Sequence, residues 1–191
     1  MIKILAFSGS ARKNSFNQKL VKIAANGALD CEAEVTVVDL AYFDMPLYNG
    51  DLEAAQGLPE KARIFKQLLI EHNGLLIASP EYNSAFSPLL KNVIDWTSRS
   101  ESNDEPSLVA FRGKVAAIMA TSPGALGGLR GLVFLRMLLA NIGVMVLPTQ
   151  KTIPFAAKAF NEEGNLIDAA EHQAVMNLGR ELVSNIACLK S

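Results

Sequence analysis

The residues from Phe7 to Asn17 combine hydroxyl groups, an arginine and an asparagine directly after a short apolar run. The apolar run has the composition of a strand, and apolar residues at helical spacing follow from Leu20 onwards. The polar residues therefore lie between the carboxyl end of a strand and the amino end of a helix, which Ser15 or Asn17 would cap. Unpaired backbone N–H groups and the positive end of the helix dipole favour an anion there. The segment predicts a phosphate-binding loop.

The composition of this loop favours a terminal monophosphate. Arg12 supplies a planar, permanently charged group that suits phosphate. Ala11 and Asn14 follow Gly9, so neither the GxGxxG spacing of dinucleotide folds nor a P-loop is present. Hydroxyl, amide and guanidinium groups that enclose a phosphate on several sides suit a mononucleotide better than a pyrophosphate on a glycine turn. For any one serine or asparagine alone, an ordinary turn or capping role is the competing interpretation.

Strand and helix patterns alternate along the chain and would position this loop. Strands are predicted at 3–8, 34–39, 74–79, 114–121 and 144–147, and helices at 17–28, 59–72, 88–98, 126–141 and 168–189. The third and fourth strands are apolar on both faces, as parallel strands covered by helices are. This pattern predicts a doubly wound parallel α/β sheet, in which ligands bind beyond the carboxyl ends of the strands. The first, third and fourth strands should form the site.

The third strand ends in SPEYNSAFSP, residues 79–88. Ser84 or Ser87 would cap the following helix, and Pro88 suits its first turn. Tyr82, Asn83 and nearby backbone amides offer an aromatic surface and hydrogen bonds to a heteroaromatic ring. The alternative is a plain loop with a half-buried tyrosine.

The fourth strand ends in SPGALGGLRG, residues 122–131. Glycine permits a positive φ, or a close approach where a side chain would collide with a flat ligand. A turn explains Gly124. Gly127 and Gly128 would each cost about 1 kcal/mol inside a helix, so they indicate tight contact with a ligand or with another helix.

Three segments, GSARKNSFN, SPEYNSAFSPLLKNVIDW and SPGALGGLRG, resemble the NAD(P)H-dependent FMN reductase family of flavodoxin-like proteins, which includes quinone and chromate reductases. The resemblance runs from about Ile2 to Leu147. It implies a flavodoxin-like, doubly wound, five-stranded parallel sheet in the order 2-1-3-4-5 with helices on both faces, as a single FMN-binding domain over residues 1–191. It also implies FMN as the cofactor and NADPH or NADH as the electron donor.

The resemblance further implies which residues bind the cofactor. The FMN phosphate would be surrounded by Ser10, Arg12, Ser15, Asn17 and Gln18, with the amide of Phe16. The isoalloxazine would be lined by Pro80, Glu81, Tyr82, Asn83 and Ser84, with Ser122 and Gly124 at its other edge. Because the charge of Glu81 would repel a reduced anionic flavin, this residue is expected to contribute its backbone or to reach across a subunit interface.

The predicted activity is transfer of hydride from the nicotinamide to FMN and then to a second acceptor, in a ping-pong sequence. Acceptors open to an exposed flavin are free flavin, quinone, chromate and azo compounds. No catalytic acid, base or metal is required, and His72 and His172 are predicted on helix surfaces. The alternatives are a non-enzymatic FMN-binding electron carrier or regulatory module on the same fold, and a nucleotide-binding protein without flavin.

Composition limits the partners. The chain has 191 residues, of which 50% are hydrophobic, and its 18 basic and 19 acidic residues give a formal net charge of −1. Neither a nucleic-acid footprint nor the acidic docking surface of a dedicated electron carrier is evident. Cys31 and Cys188 have no disulfide or metal spacing and are predicted to be reduced. Without a cationic leader or an apolar run of ~18 residues, the expected location is the cytoplasm, away from membranes.

The helix after Gly127 is apolar almost all the way round, more than packing on one sheet face requires. It predicts a subunit interface, and the resemblance implies a homodimer or homotetramer. The alternative is burial of this helix by the C-terminal segment. The segment from Asp44 to Asp51 is predicted either to close over the flavin edge or to remain a surface loop.

Overall fold

The structure, a computed structural model, describes residues 1–190, so Ser191 of the predicted domain lies outside the described range. Its strands are β1 (Lys3–Ser8), β2 (Glu34–Asp39), β3 (Gly74–Ala78), β4 (Glu81–Tyr82), β5 (Ala85–Phe86), β6 (Val115–Thr121) and β7 (Met145–Ile153). A five-stranded sheet has the order β2-β1-β3-β6-β7, and all its neighbouring strands are parallel. Counted within that sheet, the order is 2-1-3-4-5, which confirms the predicted fold. β4 and β5 form a separate antiparallel hairpin.

The helices are α1 (Phe16–Leu29), α2 (Gly50–Gln56), α3 (Glu60–Glu71), α4 (Pro88–Thr97), α5 (Leu129–Asn141), α6 (Ala156–Ala159) and α7 (Ala169–Lys190). A 3₁₀ turn covers Leu40–Tyr42. α2 and the β4–β5 hairpin were not predicted. α5 begins later than predicted because Gly127 and Gly128 have positive φ angles of 59° and 91° and form a turn before it. Within the described part of the chain, no helix has the length and apolar character needed to cross a membrane.

The last strand, β7, extends well beyond the predicted end at Leu147. Its pairing with β6 shifts register, so that Ala116 pairs with Val146 and Ile118 pairs with Gln150. An edge strand tolerates such a bulge, and the proline within it, because one side of the strand has no ladder to maintain. Arg136 of α5 stabilises the bulge by donating to the Leu147 carbonyl at 2.8 Å and to Oε1 of Gln150 at 2.9 Å.

The two faces of the sheet carry separate hydrophobic cores. Val115, Ala117 and Met119 of β6 face the core that contains α1 and α7, whereas the alternating residues Ala116, Ile118 and Ala120 face the core that contains α3, α4 and α5. α7 and α5 therefore lie on opposite faces. The C-terminal helix does not cover α5, and the alternative explanation for the apolar surface of α5 is wrong.

The prediction that His72 lies on a helix surface was also wrong. It is buried at the end of α3, where Nδ1 lies 2.6 Å from the Leu68 carbonyl and Nε2 lies 2.9 Å from the Thr36 hydroxyl. Because a carbonyl only accepts, Nδ1 carries a proton and donates it to Leu68, while Nε2 forms a hydrogen bond with the Thr36 hydroxyl. The ring is thus a structural bridge between α3 and β2.

The Asp44–Asp51 segment packs on α4. The indole N–H of Trp96 donates to the Pro46 carbonyl at 2.7 Å, and the Tyr48 amide donates to Asn92 Oδ1 at 2.8 Å. These bonds attach the segment to a buried face of α4, so it is more than a surface loop without contacts.

Lys114, just before β6, predicts a specific dependence of stability on pH. Its ammonium donates to the His72 carbonyl at 2.5 Å, and burial lowers the pKa of Lys114 from 10.5 to about 8. Between these values the unfolded chain binds more protons than the folded one, so this group makes the free energy of unfolding rise with pH. We expect Lys114→Met to remove roughly 1–2 kcal/mol of that rise, after allowance for partial solvation. Urea unfolding of both proteins from pH 7.5 to 10.5 measures how the free energy of unfolding changes with pH. The same change with pH in the wild type and in Lys114→Met would contradict this prediction.

Candidate functional site

The carboxyl ends of β1, β3 and β6 meet at one crevice, as the sequence predicted. A cavity of about 90 Å³ at this point brings together most of the predicted site residues, namely Ser10, Arg12, Ser15, Phe16, Asn17, Pro80, Glu81, Tyr82 and Ser122. Gln18, Asn83, Ser84 and Gly124 do not line this cavity. Asn83 and Ser84 form the turn of the β4–β5 hairpin, and Gln18 lies on the adjoining side of α1.

A larger cavity of about 680 Å³ shares Arg12 and Ser15 with the crevice but extends along the outer side of α1 towards β2. It opens beside the edge strand β2, none of whose residues is fully buried. The smaller cavity is the better candidate, since ligands of doubly wound sheets bind where the carboxyl ends of the strands converge.

The loop between β1 and α1 presents unpaired donors to the crevice. Of the two predicted caps of α1, Ser15 is the one observed. Its hydroxyl oxygen accepts from the Gln18 amide at 3.4 Å. Within residues 1–190 the guanidinium of Arg12 makes no hydrogen bond or ion pair, and it is exposed. The buried hydroxyl of Ser8, at the end of β1, also has no partner within this range, but it does not line the cavity. An uncompensated cation beside a helix amino end is the arrangement that binds a phosphate.

Asn17 has a different observed role from the other loop residues. Its Nδ2 donates to the Thr121 carbonyl at 3.0 Å, and its Oδ1 accepts from the Thr121 amide at 3.0 Å. This buried pair of bonds ties the start of α1 to the end of β6. Asn17 therefore positions two walls of the crevice relative to each other, and its predicted contact with phosphate stays a prediction.

Gly9 links the first and third strand ends. Its amide donates to the Ala78 carbonyl at 2.9 Å, and its carbonyl accepts from the Ser87 hydroxyl at 2.5 Å. A Cβ at Gly9 would lie 2.9 Å from that hydroxyl oxygen, so a side chain there would displace Ser87. Ser87 also caps α4 through the Leu90 amide, which identifies the cap among the two serines predicted.

The wall of the crevice includes a residue, Ala156, that the sequence patterns did not indicate. Ala156 joins Thr121 and Pro123 there, because the Ala156 amide donates to the Ser122 carbonyl at 3.0 Å. Ala156 lies beyond the predicted end of the last strand, and no local motif marks it. Only the longer course of β7 brings this segment back to the crevice.

The β4–β5 hairpin turns through two residues with left-handed backbone conformations. Asn83 has φ 53° and Ser84 has φ 71°, which is the pattern of a type I′ turn. Asparagine tolerates this region, whereas serine at the second position would ordinarily be glycine. The strain is located next to Tyr82, in the segment predicted to line a flat ligand.

This strain gives a prediction for Ser84→Gly. Relief of about 1–2 kcal/mol of left-handed strain should exceed the 0.5–1 kcal/mol cost of added freedom in the unfolded chain, so we expect a small net gain in the free energy of unfolding, about 0.5 kcal/mol. Chemical denaturation measures it. Ser107→Gly is the matched control, because Ser107 is exposed and is not among the residues with positive φ; it should lose stability. Equal losses in both variants would contradict the strain argument.

A parallel sheet in this order, with a ligand crevice at the carboxyl ends of its first, third and fourth members, defines a flavodoxin-like protein. Over residues 2–158 the chain matches the NADPH-dependent FMN reductase family, and it belongs to that family. It is therefore an oxidoreductase, of a family whose cofactors are FMN and a nicotinamide nucleotide. The resemblance that the three motifs indicated is confirmed.

Named relatives agree with this assignment. The chain is 35% identical over 168 residues to an NAD(P)H-dependent FMN reductase of Pseudomonas aeruginosa, covering 87% of this chain and 85% of the relative. It is 36% identical over 179 residues to an NADPH:quinone oxidoreductase of Arabidopsis thaliana, covering 88% and 83%. Among solved structures, a flavoenzyme NAD(P)H:(acceptor) oxidoreductase from Paracoccus denitrificans superposes with a TM-score of 0.82 at 27% identity, covering 98% of each chain.

Proposed function

We propose that this protein is an FMN-dependent NAD(P)H oxidoreductase that takes a hydride from the nicotinamide and delivers electrons to a second small-molecule acceptor in a ping-pong sequence. The observation that carries the proposal is the meeting of Arg12, the amino end of α1 and Tyr82 at a single crevice. Free flavin, quinone, azo compounds and chromate are candidate acceptors. We place the reaction in the cytoplasm, where reduced nicotinamides are supplied.

The residues present fit FMN at both ends of the crevice. Ser10, Arg12 and the first-turn amides of α1 would hold the phosphate, because the guanidinium has no other partner among residues 1–190 and those amides have no intrahelical acceptor. Tyr82, with Pro80 and Ser122, would hold the ring. When bound, FMN supplies two-electron chemistry, so the protein contributes orientation, exclusion of water and control of charge near the ring.

Steady-state kinetics test the proposed sequence. If the donor and the acceptor occupy the same open side of the crevice in turn, initial rates at several NADPH and quinone concentrations should give parallel double-reciprocal lines. NADPH alone should also reduce the FMN-loaded protein in the absence of acceptor. Intersecting lines, with no reduction by NADPH alone, would contradict the ping-pong sequence.

An acceptor panel tests the enzyme itself. Purified FMN-loaded protein is assayed with NADPH and with NADH against free FMN, a quinone, an azo dye and chromate, with free FMN at equal concentration as the blank. Oxidation of either nicotinamide above that blank supports the proposal. A flat trace with both donors and every acceptor would identify an electron carrier instead.

We further propose that the protein self-associates through α5. Val133 is 59% exposed and Met137 is 57% exposed, with Phe134 beside them, so an apolar strip faces solvent in the single chain. A second copy of the chain is the occupant that the family resemblance implies. Sedimentation should show a dimer or tetramer, and Val133→Lys should shift it towards monomer. Ile167→Lys, at an exposed apolar residue away from α5, is the control and should not. A wild-type monomer at micromolar concentration would contradict the interface.

A further inference from the structure

Glu81 is the charged residue in the ring-binding segment, and its carboxylate makes a specific set of contacts. Oε1 accepts from Arg130 Nε at 2.9 Å and from Arg130 Nη2 at 2.7 Å. Oε2 accepts from the Gly131 amide at 3.2 Å. The Glu81 side chain is 8% exposed, so both oxygens face α5 rather than solvent. Charge-assisted bonds of this kind are among the stronger hydrogen bonds in proteins.

The contact with Gly131 completes the amino end of α5. The N-cap residue of this 13-residue helix is Gly128, which has no side chain with which to accept a first-turn amide. Glu81 supplies the missing acceptor from a distant part of the sequence, and its negative charge lies at the positive end of the helix dipole. The carboxylate is therefore compensated both by Arg130 and by the helix.

The hairpin that carries Glu81 packs against α5 and not within the main sheet. β4 and β5 pair with each other and with no strand of the main sheet within residues 1–190. The hairpin lies directly against the first turn of α5, since a Cβ at Gly131 would lie 3.2 Å from the Ala85 carbonyl oxygen and 3.4 Å from Glu81 Cβ. The carboxylate of Glu81 is the charged attachment between these two elements.

We propose that Glu81 is a positioning residue for the flavin ring, which acts through α5 and not by contact with the ring. It holds the hairpin so that Tyr82 faces the crevice. Its pairing with Arg130 cancels a negative charge that would otherwise disfavour the reduced flavin. This inference rests on the proposed function, because it assumes that the ring lies against the hairpin.

The test compares Glu81→Gln, Glu81→Ala and Arg130→Met with Glu34→Gln, which removes a charge from the exposed Lys3–Glu34 ion pair at the other end of the strands. Apo-protein is titrated with oxidised FMN and, anaerobically, with reduced FMN. We expect Glu81→Ala to weaken binding of both forms by roughly tenfold or more, and Glu81→Gln to weaken it less, because the amide oxygen still accepts from Gly131. Glu34→Gln should bind as wild type does.

Arg130→Met distinguishes the effect of the Glu81 charge from the effect of the hairpin's position. It leaves the Glu81 carboxylate without its cation, so reduced FMN should lose affinity about threefold or more beyond any loss for oxidised FMN. A purely structural role would change both affinities equally. Unchanged affinity in Glu81→Ala, or equal losses for the two flavin forms in Arg130→Met, would overturn the proposal.

Hydrogen exchange distinguishes this failure from failure of the proposed function. If wild-type apo-protein bound no FMN, the proposed function would fail. The Glu81 attachment would still be expected to protect the amides of the hairpin, and Glu81→Gln to speed their exchange. If the hairpin amides exchanged at the wild-type rate in both Glu81→Gln and Glu81→Ala, the positioning role would be overturned, whether or not FMN binds.

Discussion

Gly179→Ala is expected to lower the free energy of unfolding by about 3 kcal/mol or more. α1 and α7 cross with their backbones in contact at this residue. A Cβ at Gly179 would overlap the Ala24 carbonyl oxygen and lie 2.7 Å from the Ala28 amide nitrogen. The reciprocal position is Gly27, whose Cβ would overlap the Met176 carbonyl. Since backbone atoms cannot move aside as a side chain can, the two helices must separate, and the core beneath them loses packing.

Urea denaturation of the purified variant measures this effect. Gly50→Ala is the matched control, because a Cβ at Gly50, in the first turn of α2, would meet nothing within 4 Å. We expect that control to stay within about 0.5 kcal/mol of the wild type. A Gly179→Ala protein as stable as the Gly50→Ala protein would show that the helices are not in backbone contact.

Arg12→Ala is expected to weaken FMN binding by roughly tenfold to 100-fold, the effect of losing one charge-assisted contact to phosphate. In the proposed binding mode Arg12 would contact the phosphate and not the ring, where hydride transfer takes place. Hydride transfer in fully loaded enzyme should therefore change little. Titration of apo-protein with FMN measures the first quantity, and single-turnover reduction by NADPH at saturating FMN measures the second.

Two further variants sharpen this result. Arg12→Lys keeps the charge but loses the planar fork, so its affinity should fall between those of wild type and Arg12→Ala. Arg112→Ala removes an exposed arginine just before β6, at the opposite end of the strands, and should leave FMN affinity unchanged. A slower hydride transfer with unchanged affinity in Arg12→Ala would show that the loop has another role.

The sequence predicted the elements whose signals are local. β3 and β6 were predicted because strands buried on both faces need a continuous apolar run, and every residue of both is buried. Ser15, Ser87 and Pro88 marked the starts of α1 and α4, since capping depends on residues within one turn. The strand order came from the family resemblance, and the structure confirms it.

Features that depend on distant partners were decided by the tertiary structure. Asn17 bonds to Thr121, and Glu81 bonds to Arg130 and Gly131, across long separations in sequence. The residue type shows that a hydrogen-bonding group is present, but its partner is whichever backbone or side-chain group the fold brings near. The course of β7 beyond Leu147 also depends on a distant partner, because Arg136 of α5 stabilises its bulge.

The sequence by itself therefore determined the class of sheet and the starts of α1 and α4, and it predicts a phosphate loop before α1, because apolar periodicity and capping act over a few residues. The tertiary structure decided which polar side chains remain available to a ligand. Arg12 stays unpaired among the described residues, whereas the carboxylate of Glu81 is committed to α5 and the amide of Asn17 to β6. That distinction requires the whole fold, since a side chain is free only when no other element supplies it with a partner.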